Sequence, residues 1–376
     1  MTHAAPDVGD VHNTQPRRAG PGHAMALPIL VVPALVIAGL LAMAVQAALP
    51  DGAGLLRALA DPAFWTGLPA ALGAIQASWL TLTVSGLAMG MMIFLMASGL
   101  TLVFGLMDVI NFGHGAFISV GAFVGVSVLA ALGAWVAAPG LGANLAAVAL
   151  AVLAAMAATG AMGLVFERVI VRPVYGAHLK QILVTMGGLI IVEQLIHVLW
   201  GPDEIFLTRP EALKGALTWQ GAALEKYRLL AVGVGLAVFL LMRLVLRRSR
   251  IGLIVRAGVQ NGEMVEALGY RLGLVFVAVF VAGSALAGLG GVMWALYEEV
   301  ITAPMGAELM VLVFIVVIIG GLGSVEGCFI GALLVGLTQN YTAFLEPKLA
   351  LVSNIALMVV ILMWRPEGML PVARAK

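Results

Sequence analysis

The sequence predicts an all-α, polytopic membrane protein, a bundle of about ten transmembrane helices. Three observations support this fold class: 62% of the residues are hydrophobic, 10% are charged, and the mean hydropathy is +1.08. A soluble domain carries about 25% charged residues, and no compact chain can hide this much apolar surface from water. The excess apolar surface must therefore face lipid, and the 46 glycines are typical of helices that pack closely within a membrane.

Ten apolar runs along the chain are each near the ~20 residues that a helix needs to cross a bilayer. The first run, Ala26–Leu49, is longer than the apolar part of a cleaved signal peptide, which favours a retained helix. The run that begins at Glu308 is short, so 308–341 is either two spans or a re-entrant hairpin around Gly320–Gly323. The predicted spans after the first are Trp79–Leu106, Gly113–Gly133, Ala143–Arg168, Gln181–Trp200, Tyr227–Leu246, Leu274–Leu296, Glu308–Gly321, Ser324–Tyr341 and Leu349–Trp364.

Composition divides the chain into five parts. Residues 1–24 are polar and predict a disordered cytoplasmic tail, and residues 25–50 predict an additional N-terminal transmembrane helix. A periplasmic segment is expected over 51–78, the main transmembrane domain over 79–366, and a cytoplasmic C-terminal tail over 367–376.

Lysine and arginine concentrate in alternate loops, which predicts the orientation because basic loops stay on the cytoplasmic side. Basic residues cluster at 168–180, at 247–271 and after 364, whereas acidic residues occupy the other set of loops. We therefore expect 247–271 and both termini to be cytoplasmic, and Gly201–Lys226 to be periplasmic. An even number of spans, such as ten, is needed to keep both termini on one side. The expected location is the inner membrane of a bacterium.

Several classes of function are disfavoured by the residues that the sequence lacks. The single cysteine, Cys328, can form no internal disulfide and has no neighbouring His or Cys for a metal site. No GxxxxGK[ST] motif occurs, so ATP hydrolysis is expected on a separate subunit. No Ser/His/Asp or Cys/His arrangement predicts catalysis. We expect no enzyme activity, cofactor, metal or nucleic-acid partner.

The cytoplasmic loop Arg247–Arg271 is longer than a turn between two helices requires. Within it, Val259–Leu268 predicts a short amphipathic helix, and Gly269 is a plausible C-cap. Two interpretations follow from the residues alone: a docking helix for a cytoplasmic partner, or a basic loop that binds anionic lipid head groups. The candidate docking residues are Arg256, Asn261, Glu263, Glu266, Ala267, Leu268 and Gly269.

Three polar residues within or near the spans are candidates for a gate or a translocation path. Asn111 and His114 are three residues apart, so they share one face if the local structure is helical. They are either a gate or hinge between helices or a polar cap for the helix end. Glu193 is the carboxylate deep within a predicted span, one turn from His197. A buried ionisable group of this kind marks either a path for protons or substrate or a polar contact between helices.

Five blocks of sequence, in matching order from about residue 79 to the end, resemble one family. The chain is similar to the permease subunits of branched-chain amino acid type ABC importers, a family with urea and amide relatives. The blocks are GLTLVFGLMDVINFGHGAFISVGAF (Gly99–Phe123), ERVIVRPVYG (Glu167–Gly176), RSRIGLIVRAGVQNGEMVEALGY (Arg248–Tyr270), VIIGGLGSVEGCFIGALLVG (Val317–Gly336) and WRPEGMLP (Trp364–Pro371).

The resemblance implies the ABC importer permease fold, with a coupling helix in the loop Arg247–Arg271. It also implies the partners: ATP-binding cassette ATPase subunits, a second permease subunit that is identical or homologous, and a periplasmic solute-binding protein. The implied cargo is a branched-chain amino acid or a related small polar or carboxylate solute. The sequence departs from the family in the addition of residues 1–49 and in Ala116, where an acidic residue is common.

The alternative function is a self-contained channel or secondary transporter for a small solute. Internal inverted repeats, interrupted helices and buried charge near the midplane of the membrane are typical of that class, and Glu193 is the residue that favours it here.

Overall fold

The computed structural model describes residues 21–48, 62–260 and 262–371, which form thirteen α-helices and four short strands. The strands are β1 (Ile205–Phe206), β2 (Ala216–Trp219), β3 (Ala222–Glu225) and β4 (Val300–Ile301). The helices are α1 (Pro21–Ala48), α2 (Pro62–Met107), α3 (His114–Ala131), α4 (Gly133–Val136), α5 (Leu141–Phe166), α6 (His178–Trp200), α7 (Lys226–Arg248), α8 (Arg250–Gln260), α9 (Gly262–Ala267), α10 (Leu272–Glu298), α11 (Met305–Gly320), α12 (Val325–Leu345) and α13 (Ala350–Trp364).

Ten of the described helices contain the apolar stretches that were predicted as spans. Eight are long and apolar enough to cross a membrane, and two shorter apolar stretches lie at Val31–Gln46 within α1 and at Met305–Gly320, which is α11. The segment 308–341 forms the short α11 and the longer α12. The predicted fold class, an all-α polytopic bundle, is confirmed.

Three predicted boundaries differ from the structure. Helix α1 begins at Pro21, within the region predicted as a tail, and α2 begins at Pro62, within the predicted periplasmic segment 51–78. Residues 367–371, predicted as part of a tail, fold back onto the end of α11. Residues 1–20, 49–61 and 372–376 lie outside the described residues.

Glycine-rich faces hold α2, α10 and α12 together at the centre of the bundle. A Cβ atom on Gly90 of α2 would lie 2.7 Å from the carbonyl oxygen of Ala332 in α12, so the two backbones are in direct contact. Small residues permit this approach between membrane helices. Glycines of α10 and α12 make similar approaches, because an added Cβ would crowd a neighbouring backbone at Gly283, Gly291, Gly327 and Gly331.

The outer surface of the bundle is apolar on α6, α7 and α13. Val198 of α6 is 80% exposed and Met363 of α13 is 83% exposed, and both stand among other exposed aliphatic side chains. A continuous apolar surface of this size marks contact with lipid or with another protein. The hydrophobic composition of the chain predicted such a surface, because the excess of apolar side chains has to face lipid.

The chain between α6 and α7, residues 201–225, forms a lid over one end of the bundle. Strand β1 pairs antiparallel with β4, and β2 pairs antiparallel with β3 in a hairpin. The hairpin turn Gln220-Gly221 has φ values of +49° and +82°, as the tight two-residue turn between twisted strands requires. The sequence predicted that this segment lies outside the membrane, but it did not predict the strands.

Arg209 fastens the lid to the end of α10. Its guanidinium donates hydrogen bonds to the backbone carbonyls of Leu296 and Tyr297. It also pairs with Glu225 at 3.2 Å and with Glu299 at 2.7 Å. The charge of this lid arginine is therefore neutralised by the acidic residues on the same side of the bundle.

Candidate functional site

The break between α2 and α3 brings two of the predicted residues deep into the bundle. His114, the first residue of α3, is buried, and its Nε2 donates a hydrogen bond of 2.9 Å to the carbonyl oxygen of Met96. Helix α2 continues for eleven residues beyond Met96, a distance of ~16 Å at 1.5 Å per residue. Helix α3 therefore starts beside the interior of α2 rather than beside its end.

Asn111 is fully buried in this break, and its side chain makes no hydrogen bond. Neither its Nδ2 nor its Oδ1 has a partner among the described residues. The N-cap of α3 is Gly113, which has no side-chain cap, so the interpretation of Asn111 as a polar cap is wrong. An unsatisfied buried amide costs roughly 1–3 kcal/mol, and natural membrane helices seldom tolerate that cost without a role.

The neighbours of Asn111 fix the break in place. The N–H of Phe112 donates to Thr185 Oγ1 of α6 at 3.2 Å, and the ring of Phe112 lies 4.7 Å from that of Phe314 in α11. Asp108, at the start of the break, has a φ of +52°, a left-handed conformation that few non-glycine residues adopt. The break is thus an ordered element, held by α6 and α11.

Helix α11 also begins inside the bundle, directly against α3. Ser119 Oγ of α3 donates to the carbonyl of Ala303 at 2.9 Å and accepts from the N–H of Gly306 at 2.9 Å. An added Cβ on Gly115 would lie 2.7 Å from the carbonyl oxygen of Gly306. Two interrupted helices therefore meet backbone to backbone within the bundle, and this arrangement was not predicted.

Glu193 lies apart from this break. It is half-buried on α6: Ile190, one turn before it, is 55% exposed, whereas Ile196, one turn after it, is buried. The described residues include no hydrogen bond between Glu193 and His197, and His197 Nδ1 is buried without a partner. The two side chains therefore do not pair with each other, although they lie one turn apart on α6.

The loop 249–271 is helical over Arg250–Gln260 and over Gly262–Ala267, the part in which an amphipathic helix was predicted. Asn261 lies outside the described residues, as do the side chains of Arg256 and Glu263. Gly269 ends α9 as predicted: its φ is +87°, its N–H donates to the Glu266 carbonyl, and the N–H of Tyr270 donates to the Val265 carbonyl. This is the hydrogen-bond pattern of a Schellman cap.

The two faces of the loop differ in exposure. Val255 of α8 and Val265 of α9 are buried. Met264 and Leu268 are 58% and 71% exposed, and Glu266 and Ala267 are exposed beside them. One face of the loop is thus anchored to the bundle, while its other face presents apolar and acidic side chains away from it.

The anchored face connects the loop to the break. Val255 forms a small cluster with Val279 of α10, and Leu102 and Met107 of α2 pack against that cluster. Met107 is the last residue of α2, immediately before the break that contains Asn111 and His114. The loop therefore packs, through Val255, against the end of the helix that leads into the break.

A polar cluster at the end of α5 was missed by the sequence reasoning. Glu167 is buried and accepts a hydrogen bond of 2.6 Å from the hydroxyl of Tyr175. Burial, together with this carboxylate, raises the pKa of the Tyr175 phenol far above its usual range, so Tyr175 stays a donor. The block ERVIVRPVYG was recognised as a match but gave no sign of this bond.

The C-terminal block WRPEGMLP forms a clasp under the end of α11. The N–H groups of Met369 and Leu370 donate to the carbonyls of Ile319 and Gly320, at 2.8 and 3.0 Å. The Arg365 guanidinium donates to the carbonyl of Met369 at 3.0 Å. The clasp satisfies carbonyls that the last turn of a helix otherwise leaves without partners.

A bundle of apolar helices in which two helices begin in the interior is typical of membrane transport proteins. The chain belongs to the family described as the branched-chain amino acid transport system, permease component, whose model matches residues 82–363. It is 30% identical over 300 residues to the high-affinity branched-chain amino acid transport system permease protein BraD of Pseudomonas aeruginosa, covering 76% of this chain and 94% of that protein.

A second relative agrees with this membership. The chain is 28% identical over 298 residues to the permease protein LivH of Escherichia coli, covering 76% of this chain and 93% of that protein. A solved chain described as an inward-facing ABC transporter of the metal-chelate type aligns with 89% of this chain and 99% of its own length. The identity to that chain is 16% and the TM-score is 0.42.

Proposed function

We propose that this chain is the permease subunit of an ATP-driven importer in a bacterial inner membrane. The cargo is a small polar or carboxylate solute, with branched-chain amino acids as the first candidates because the relatives carry that name. The chain itself performs no catalysis. Its proposed partners are ATP-binding cassette ATPase subunits, a second permease subunit that is identical or homologous, and a periplasmic solute-binding protein.

The observation that carries this proposal is the path from the docking loop to the helix break. The ATPase docks on α9 and the turn that follows it, where Met264, Glu266 and Leu268 are exposed. Its movement displaces α8, which packs through Val255 against the end of α2. The break at Asp108–Gly113 then moves because it continues directly from α2. ATP binding and hydrolysis are thus linked to the opening of a path between the permease subunits.

The proposed organisation has two membrane parts, although their helices start earlier than the sequence predicted. Residues 79–366 form the permease domain, to which the additional helix at 25–50 is attached. The indole Nε1–H of Trp79 donates to the carbonyl of Val36 at 3.0 Å, which fastens α1 to α2. The lid at 201–225 is proposed to face the periplasm, where it meets the solute-binding protein.

A second candidate function is a self-contained channel or secondary transporter. The observation that favours it is that α3 and α11 both begin inside the bundle, since interrupted helices are typical of secondary transporters. Uptake of radiolabelled leucine into proteoliposomes distinguishes the two. The importer requires ATP, the ATPase and the binding protein, whereas the secondary transporter works without them and collapses when a protonophore is added.

The docking assignment is tested by Glu266→Pro in the assembled complex. Proline inside α9 removes a backbone donor and costs about 3 kcal/mol of helix stability. We expect the variant to insert normally, to lose binding of the ATPase in a pull-down, and to lose uptake. Glu266→Gln is the matched control, because it keeps the helix and changes only the charge. Normal uptake by Glu266→Pro would show that α9 is not the docking element.

A further inference from the structure

An apolar groove of about 530 Å³ lies where α5, α7 and the lid meet, and it belongs to none of the sites described above. Leu141 and Leu145 of α5 form one wall, Leu229 and Leu230 of α7 form the other, and Leu217 of the lid lies at its edge. Every lining residue is apolar except Lys226.

The groove lies at a boundary between membrane and water. Its two walls are the first turns of membrane-spanning helices, which begin at Leu141 and Lys226. The lid, which joins the outer end of α6 to α7, covers its upper side. Leu141 and Leu229 are 55% and 37% exposed, so the groove opens toward the lipid-facing surface of the bundle.

Lys226, the first residue of α7, differs from the neighbouring cations of the lid and of α7 in having no counter-charge. Arg209 and Arg228 pair with Glu225, and Lys214 pairs with Glu211 at 2.7 Å. Within the described parts of the chain, the ammonium of Lys226 makes neither an ion pair nor a hydrogen bond. An unpaired ammonium beside an apolar groove is complementary to an amphiphile with an anionic head and an apolar tail.

We propose that this groove binds an anionic phospholipid of the outer leaflet, with the phosphate on Lys226 and an acyl chain along the leucines of α5 and α7. A second copy of the permease would also cover apolar side chains. The isolated positive charge favours the lipid, because a lipid phosphate supplies the counter-charge that Lys226 lacks among the described residues. A bound lipid here fills the space between the lid and the bundle and so supports the lid in position.

The test is native mass spectrometry of the full-length chain in detergent, with phosphatidylglycerol or diacylglycerol added at increasing concentration. We expect Lys226→Gln to weaken the binding of phosphatidylglycerol about five-fold, as the loss of one lysine near a lipid phosphate predicts. Binding of diacylglycerol should not change. Lys214→Gln, which removes the same charge from the lid but lies outside the groove, should bind phosphatidylglycerol like the unmodified chain.

A second variant, Leu145→Trp, fills the groove without changing its charge and should reduce the binding of both lipids. Equal phosphatidylglycerol binding by Lys226→Gln and Lys214→Gln would overturn the proposal and leave only annular lipid. Loss of a dimer signal in Leu145→Trp, with lipid binding unchanged, would also overturn it and assign the groove to a second permease copy.

Discussion

The imidazole of His114 donates a hydrogen bond to the carbonyl oxygen of Met96, which ties the first residue of α3 to the interior of α2. His114→Ala should destabilise the protein by roughly 1–3 kcal/mol, because it removes a buried hydrogen bond and leaves space around the ring. His114→Gln retains a donor of similar reach and should lose less. The thermal unfolding midpoint in detergent measures both. Equal losses would mean that the ring fills space without anchoring the helix.

Substitution of Asn111 should impair transport without lowering the stability of the protein. Asn111→Leu replaces two unpartnered polar atoms with an apolar group of similar size, so the unfolding midpoint should stay the same or rise. Uptake should nevertheless fall, because we propose that the amide finds its partners during the transport cycle. The measurement pairs a thermal melt with ATP-dependent leucine uptake.

Asn144 provides the matched control for Asn111. It is equally buried, but its amide donates to the carbonyls of Trp135 and Ala138 and accepts from the N–H of Ala212. Asn144→Leu should therefore lower stability by roughly 2–3 kcal/mol. If Asn111→Leu destabilises the protein as much as this control, the amide of Asn111 is a structural group.

Substitution of Val255 should impair the coupling of ATP hydrolysis to transport more than it impairs assembly of the complex. Val255→Ala removes apolar contact between α8 and the end of α2, so ATP should still be hydrolysed while uptake per ATP falls several-fold. Val245→Ala, on the 38% exposed side chain near the end of α7, is the control and should change neither. The ratio of leucine transported to phosphate released is the quantity to measure. An unchanged ratio in Val255→Ala would place the coupling path elsewhere.

The C-terminal clasp should depend on Gly368, which has a φ of +84° and lies against Gly321. Gly368→Ala combines left-handed strain of roughly 1–2 kcal/mol with a clash against backbone. Gly176→Ala isolates the strain, because Gly176 has a φ of +78° with nothing within 4 Å of its added Cβ. We expect Gly368→Ala to lower the unfolding midpoint clearly more than Gly176→Ala. Equal losses of stability in the two variants would show that the contact between Gly368 and Gly321 adds nothing to the backbone strain.

Glu193 should be dispensable for ATP-driven uptake. Glu193→Gln keeps the shape of the side chain and abolishes its titration, and the residue lies partly exposed on α6. We therefore expect full ATP-dependent uptake by the variant, insensitive to a protonophore. An inactive but well-folded Gln variant, combined with collapse of the unmodified protein's uptake when the proton gradient is removed, would favour the secondary transporter.

The sequence predicted the spans, their order and the cap at Gly269, because hydrophobic runs and a glycine after a helix are local signals. It did not predict that α3 begins beside Met96 or that Arg209 binds the end of α10, since both depend on contacts between residues distant in sequence. The turn at Gly320–Gly323 was ambiguous for the same reason: the carbonyls of α11 are satisfied by Met369 and Leu370, about 50 residues later.

The backbone contacts among α2, α10 and α12 have a mechanical consequence. Where Gly90 touches Ala332, no layer of side chains separates the helices, so neither can slide or roll against the other without a collision of main-chain atoms. We therefore expect the three helices to move as one rigid unit that bends only at its ends. The break at Asp108–Gly113 lies at one of these ends, so we expect the chain to bend there while the glycine contacts stay fixed.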